Sequence, residues 1–363
     1  MAIIKLVIAF LFSFSQFMAP YSAMLFSGNI NGFIDKNYED WSEEQEFTAD
    51  YAVTLEKDPD KDFVVLNFSD VQLSSAEVYG EYGAIAEATI DKAIKEVQPD
   101  LITLTGDNAW CKMGYIRLVQ VIDSYGIPWA AVMGNHDGDN GETVYENWCA
   151  EQVVSAKNSV FKFGPKDMGV GNYIINVTEN GEIIHSIYMV DTHTNTDLPC
   201  GGYDHLWDNQ LKWYEWAVKG TNALAGKTVE SSIFFHIPCI QYRTAWAEAQ
   251  YNAETGEYDN PAYADSFGYN TEGICSPEYD SGFFALVKEL GSTKNMIAGH
   301  DHVNSSSILY DGVRLSYSLK CGPGCYWDET MNGGSTLTIG SDGHATFAHH
   351  YIDPASLELG IIC

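Results

Sequence analysis

Residues 63–72 read FVVLNFSDVQ. The first six, Phe63 to Phe68, form a short run dominated by apolar, β-branched and aromatic side chains and fit a buried strand. A polar stop follows at once in Ser69, Asp70 and Gln72. The carboxyl end of a buried strand is where an open α/β sheet gathers its ligands.

The same arrangement recurs downstream. Ala76 to Val97 carries apolar positions at helical spacing, and Leu101 to Leu104 is the next strand, stopped by Thr105-Gly106-Asp107-Asn108. Met113 to Tyr125 reads as a helix closed by Gly126. Trp129 to Met133 is a third strand, stopped by Gly134-Asn135-His136-Asp137. This β-α-β-α-β order predicts parallel pairing with helices packed outside.

The second half has more hairpin character. Tyr173 to Val177 and Ile184 to Val190 flank a turn at Asn180-Gly181. His205 to Val218 reads as an amphipathic helix whose Trp207, Trp213 and Trp216 are core residues. Strands are predicted at Ser232 to Phe235, Asn295 to Ala298, Ser307 to Tyr310 and Val313 to Tyr317. Thr336 to Ile339 and Ala345 to Tyr351 close the chain as a hairpin around Asp342-Gly343. Two sheets covered by helices follow from this order. Residues 241–273 lack an apolar period and read as an insertion, either a lid or a surface excursion.

Two further strand ends complete the pattern: Phe235-His236-Ile237-Pro238 and Ala298-Gly299-His300-Asp301-His302. Side-by-side strands would bring all five loops together, with glycines permitting the sharp turns. Oxygen and imidazole donors of this kind suit iron, manganese or zinc rather than a soft thiolate site. Asp107, with two carboxylate oxygens, can bridge a pair of ions about 3.5–4 Å apart, the spacing that binds a phosphate and generates hydroxide at neutral pH.

Composition bounds the partners. Nineteen basic against 50 acidic residues give a formal net charge of −31, which excludes duplex nucleic acid and anionic membrane surfaces. Aromatic content of 13% supplies enough apolar surface to fold. Residues 1–28 read as a signal peptide or signal anchor: Lys5, then an apolar stretch from Leu6 to Ala19, then Pro20 and the small pair Ser22-Ala23. The expected location is secreted or extracytoplasmic, with residues 29–363 as one domain and no stable membrane span after cleavage. The eight cysteines fit an oxidising compartment. Of the sequons at Asn67, Asn176 and Asn304, only Asn176 is expected to be accessible.

Together the five segments resemble the signature of the calcineurin-like metallophosphoesterases: D-x-H, G-D, G-N-H-D/E, H and G-H-x-H, over roughly residues 60–350. The run FFHIP and the later SGFF and GHDHVN are similar to a purple-acid-phosphatase-like branch found in fungi and plants, with bacterial relatives. The resemblance implies a four-layer α/β/β/α sandwich of two mixed sheets, and phosphate-ester hydrolysis by a metal-bound hydroxide. It implies two divalent or trivalent ions (iron, manganese or zinc) and a small phosphorylated substrate. On the same basis Asp70, Gln72, Asp107 and His302 would hold one ion, and Asp107, Asn135, His236 and His300 the other. His136 would sit beside the phosphate as the catalytic residue, tuned by Asp137.

Two positions depart from the pattern. Gln72 stands where a histidine is usual, a neutral donor that favours an oxygen-loving ion. Trp110 stands where purple acid phosphatases have the tyrosine that colours them, so no such colour is expected. The alternatives are a nucleotide or cyclic-nucleotide phosphodiesterase, and a metal-binding pseudoenzyme. Asp191 and His193 are read as possible rim residues, and Arg243 as a phosphate contact or a structural ion pair.

Overall fold

The computed structural model describes residues 38–74, 80–138 and 146–359. The chain divides after Tyr38 into two units, and the fold below is that of the second, Glu39–Cys363. The signal-segment reading falls outside the described residues.

The fold is α/β, built on two mixed sheets. The smaller sheet contains the diagnostic stretch. In it β2 (Phe63–Phe68), β3 (Leu101–Thr105) and β4 (Trp129–Val132) run parallel, in that order. The terminal hairpin β13 (Gly333–Ile339) and β14 (Ala345–Tyr351) extends the sheet antiparallel beside β2. β3 is buried along its whole length, which explains its unbroken LITLT sequence.

Helix α1 (Glu81–Val97) follows β2 and covers β2 and β13. Its buried Ala86, Ile90, Ala93 and Ile94 sit at the four- and three-residue spacing of one helical face. Gln98, in a left-handed conformation, ends it. Helix α2 (Lys112–Asp123) returns the chain from β3 to β4. Helix α3 (Glu146–Val154) packs against α2.

The larger sheet has the order β1-β5-β6-β7-β10-β12-β11. β1 (Ala52–Glu56) and β5 (Tyr173–Glu179) pair parallel, and β5 with β6 (Glu182–Met189) antiparallel. At its centre β6, β7 (Glu230–Phe234), β10 (Thr293–Ala298) and β12 (Val313–Tyr317) are parallel, and β11 (Ser307–Tyr310) is the antiparallel edge. Helices α4 (Asp208–Ala225) and α6 (Phe283–Leu290) cover this sheet, burying Trp213, Tyr214, Phe283 and Phe284 with Ile233 and Met296 in one apolar core. The helix expected over 205–218 thus starts later and runs further. Among its tryptophans, Trp213 is core, Trp216 half-buried, and Trp207 exposed at the N-cap.

The 241–273 stretch is more ordered than its composition implied. It begins inside helix α5 (Ile240–Ala249) and continues through the short pair β8 (Tyr251–Asn252) and β9 (Glu257–Tyr258). Phe267 then bridges Ser307, so the segment covers the β11 edge and satisfies strand groups that would otherwise be open. Tyr242 is buried, and its hydroxyl donates to the Met296 carbonyl at 2.7 Å.

One sequence expectation needs correction. Asn176 is not accessible: it is buried on an inner strand, and its Oδ1 accepts from the Ser186 hydroxyl at 2.7 Å. The seven described cysteines are all free thiols, so no cross-link joins them. Among the described residues no helix is long and apolar enough to cross a membrane.

Candidate metal centre

Each of the five loops leaves the carboxyl end of a parallel strand. Asp70 follows β2, Asp107 follows β3, and Asn135 follows β4 in one sheet. His236 follows β7, and His300 and His302 follow β10 in the other. The sheets therefore meet at one edge with all these side chains buried. Asp70, Gln72, Asp107 and His300 have φ of 53°, 49°, 49° and 76°, a left-handed conformation that costs energy outside glycine and clusters at functional sites. Two glycines make the approach possible. Gly106 has φ 87°, and a Cβ on Gly134 would lie 2.2 Å from Asp107 Oδ1.

His236 stands at the centre. Its Nδ1 is 2.8 Å from the Thr105 carbonyl, so Nδ1 carries the proton and Nε2 turns inward. Around Nε2 lie Asn135 Oδ1 at 3.0 Å, Asp107 Oδ1 at 3.3 Å and His300 Nδ1 at 3.3 Å. Four electron-pair donors face one another, an arrangement that only a shared cation or proton makes favourable. Burial lowers the His236 pKa, but the Asp107 carboxylate outweighs it and lifts the value to about 10. The cluster therefore draws in positive charge.

A second group lies on the other side of Asp107. His302 turns Nδ1 to the Tyr326 carbonyl at 3.0 Å and Nε2 toward Asp70 Oδ1 at 3.4 Å. Asp70 Oδ1 is buried without a hydrogen-bond partner, while Asp70 Oδ2 accepts from the His300 backbone at 3.0 Å. Burial raises the Asp70 pKa, yet the neighbouring His302 and His236 rings leave it far below the usual carboxylate range. Asp70, Asp107 and His236 lie close enough to ligate one ion, and an ion between Asp70 Oδ1 and His302 Nε2 would satisfy the orphaned oxygen. The donor set of this corner therefore fits metal binding.

Gln72 sits in this shell with a geometry the sequence did not suggest. Its Nε2 donates to Asp107 Oδ2 at 3.0 Å, and its Oε1 accepts from Lys320 Nζ at 3.0 Å. Lys320 is buried and donates a second bond to the Asp70 carbonyl. Sequence reasoning missed Lys320. The available signal was a lysine in an apolar strand exit, Tyr317-Ser318-Leu319-Lys320, of a chain poor in cations. The loop that follows braces the same corner: Cys321 N–H donates to the Ser69 carbonyl at 2.9 Å, and Tyr326 lies over the His302 ring at 4.2 Å.

His136 is half-exposed at the mouth, its backbone N–H on Asp107 Oδ1 at 2.9 Å and its ring 4.5 Å from Trp110. Asp137 is fully buried. It accepts from Asn108 N at 2.8 Å, Asn108 Nδ2 at 2.9 Å and Gly134 N at 2.7 Å, which locks the second and third loops together. Burial first, and the Asp107 charge second, raise its pKa to about 6. Arg243 does not enter the site; it pairs with exposed Glu278 at 3.3 Å. Asp191 is consumed by backbone N–H groups of Val170 and His193, and His193 stacks on Trp207 at 3.9 Å. Tyr203 meets the His300 ring at 4.5 Å and closes that side.

The sequence pattern of the calcineurin-like phosphoesterases matches residues 63–253, just over half of the chain and four of the five loops. The chain belongs to this family. Among curated relatives of this phosphoesterase, "Probable inactive purple acid phosphatase 14" of Arabidopsis thaliana is 28% identical over 260 residues, covering 63% of this chain and 60% of the relative. "Phosphatase DCR2" of Saccharomyces cerevisiae is 27% identical over 290 residues, 72% of this chain and 48% of its own. The chain thus spans only about half to three-fifths of these relatives. A solved dimetal phosphatase from Danio rerio shares the fold, with a TM-score of 0.50 at 10% identity over 79% of this chain and 98% of that one.

Proposed function

We propose that this calcineurin-like phosphoesterase hydrolyses small phosphate esters at a two-ion centre bridged by Asp107. The observation that carries the reading is the convergence of Asp107, Asn135 and His300 on His236 Nε2 within 3.0–3.3 Å, beside the orphaned Asp70 Oδ1. Asp107, Asn135, His236 and His300 would hold one ion. Asp70, Asp107 and His302 would hold the other, with Gln72 alongside. Such a pair supplies Lewis-acid polarisation of the phosphoryl oxygens and a hydroxide nucleophile at neutral pH. The rest is the chain's own work. Thr105 and Tyr326 carbonyls set the tautomers of His236 and His302. Asp137 holds the loops of Asp107 and Asn135 in register. His136, fixed at the mouth by Asp107, is the group placed to protonate the leaving oxygen.

The test is metal analysis with turnover. Purified chain should bind two transition ions, lose hydrolysis of an aryl phosphate on chelation, and recover it when manganese, iron or zinc is restored. Asp107→Ala should lose both ions, because it removes the shared carboxylate. Comparing aryl monoesters with diesters assigns the substrate class. A second reading, a metal-binding protein without turnover, draws on the engagement of Gln72 by Lys320 and on the word "inactive" in the Arabidopsis relative's name. Bound metal with no turnover of any ester would favour it. Extracytoplasmic location, argued from residues 1–28, belongs to the same proposal and is tested by finding the mature N-terminus after secretion.

A further inference from the structure

Lys320 is a buried cation set among the groups that would hold the Asp70-side ion, and neither the motifs nor the relatives assign it a role. Its ammonium has donors only. One goes to the Asp70 carbonyl, and another goes to Gln72 Oε1 at 3.0 Å. On the far side of the amide, Asp107 Oδ2 is a carboxylate oxygen and can only accept. These two neighbours determine which end of the Gln72 amide is oxygen. Rotating it by half a turn would set an NH2 group against the ammonium and a carbonyl oxygen against the carboxylate, two repulsive contacts in a buried place. The geometry therefore opposes the arrangement in which Gln72 offers oxygen to an ion beside Asp107.

The loop around Lys320 is built to hold it there. Lys320 forms an isolated bridge with Ser69, the residue before Asp70, and its own carbonyl accepts from Gly333 N–H at 3.2 Å. Gly324 lies against the Val71 and Gln72 carbonyls so closely that a Cβ would come within 2.6–2.8 Å of them. These contacts fix the backbone that carries Lys320 beside Asp70 and Gln72.

We propose that Lys320 is a positioning residue that keeps Gln72 off the metal and makes the centre asymmetric. The ion held by Asn135, His236 and His300 binds tightly. The ion on the Asp70 side, left with Asp70, Asp107 and His302 and facing a buried positive charge one amide away, binds weakly and exchanges. This rests on the two-ion reading. Gln72 acts as the relay, an amide donor that shares the bridging carboxylate Asp107 with the ions.

The test reads metal binding rather than activity. Manganese is titrated by calorimetry into metal-free wild-type chain, Lys320→Met, Gln72→Ala and the double variant, with circular dichroism and thermal melts confirming the fold. The wild type should show a tight and a weak step. Lys320→Met should tighten the weak step by about tenfold or more, since it removes a nearby buried charge and releases the Gln72 oxygen. Gln72→Ala alone should shift that step by less than about threefold, and the double variant should lose part of the gain. Equal or weaker binding by a folded Lys320→Met overturns the proposal. Should that variant not fold, a manganese-loaded crystal structure of the unaltered chain decides: Gln72 Oε1 at about 2.2 Å from an ion refutes the assignment, and Oε1 still on Lys320 upholds it. A wild type that binds no ion at either step would instead sink the two-ion reading itself.

Discussion

At the scale of single residues, the division of labour between His136 and Asp137 follows from where their hydrogen bonds go. Asp137 has no capacity left for substrate, because Asn108 and Gly134 occupy both of its oxygens at 2.7–2.9 Å. His136 has its backbone tied to Asp107 and its ring at the mouth against Trp110. An imidazole held there can give a proton to a leaving oxygen without ligating an ion. His136→Ala should therefore retain the wild-type metal content while kcat falls on the order of 10²–10⁴-fold. Metal analysis of the purified variant beside its steady-state rate separates the roles. Parallel loss of metal would make His136 a ligand, and an unchanged rate would make it a bystander. Trp110 packs its ring against that of His136 at an angle of 48°, at the position where purple acid phosphatases have a tyrosine ligand, so this centre should lack the tyrosinate absorption band.

At the scale of elements, the loops that carry the ligands tolerate almost no added volume. Gly134 shows the limit. A Cβ there would lie 2.2 Å from Asp107 Oδ1, 2.3 Å from Asp107 N and 2.9 Å from His236 Nε2. Gly134→Ala should cost about 1–3 kcal/mol of stability through overpacking. It should also weaken metal binding by about 10–100-fold, because the Asp107 carboxylate must move. Thermal melts and metal titration read the two effects separately, and a variant with wild-type affinity would show that the loops can part. Crowding of this kind explains what was legible in the sequence. Strands β2, β11, β12 and β14 lie where FVVLNF, SILY, VRLSY and ATFAHHY put them, since a buried or alternating run has few other solutions. The ligand loops were legible because each pairs a strand end with a glycine or a donor. Helices α3, α5 and α6 were not. Their stabilising contacts come from packing: α5 is short and has a weak apolar face, yet Tyr242 and Ala245 are buried in the shared core. Lys320 escaped notice for a similar reason. Its partners Asp70 and Gln72 are 250 and 248 residues away, and only the fold brings them together.

At the scale of the whole molecule, the two sheets are joined at both ends by polar ties. The metal centre joins their carboxyl edges. At the opposite end the β13–β14 turn is held by the larger sheet, where Lys57 Nζ reaches Ser341 at 2.9 Å and Glu179 at 2.7 Å, and Glu230 accepts from the Ala345 N–H at 3.0 Å. His185, on β6, is the most buried of these ties. Its Nδ1 lies 2.8 Å from the Gly343 carbonyl, and its Nε2 lies 3.0 Å from the Ser232 hydroxyl. The carbonyl requires a proton on Nδ1, and a neutral ring then accepts from Ser232 through Nε2. Burial lowers the His185 pKa to about 4, against an ordinary value of about 6.5. In the window between these values the unfolded chain binds a proton at this position that the folded chain refuses. Stability therefore rises with pH across the window, and the contribution is lost as pH falls from about 6.5 toward 4. At the lower end the loss approaches about 3 kcal/mol from this one group. His185→Gln keeps an amide donor and acceptor but cannot titrate. Its unfolding free energy, measured in denaturant from pH 8 to 4.5 under the same metal conditions as wild type, should fall less steeply below pH 6.5. The difference in slope should approach one proton, about 1.4 kcal/mol per pH unit. Every other titrating group, the metal ligands included, is common to both proteins and cancels in that difference. Identical slopes would mean that His185 accepts its proton without loosening the sheets, and the acid sensitivity would then have to arise at the metal edge instead.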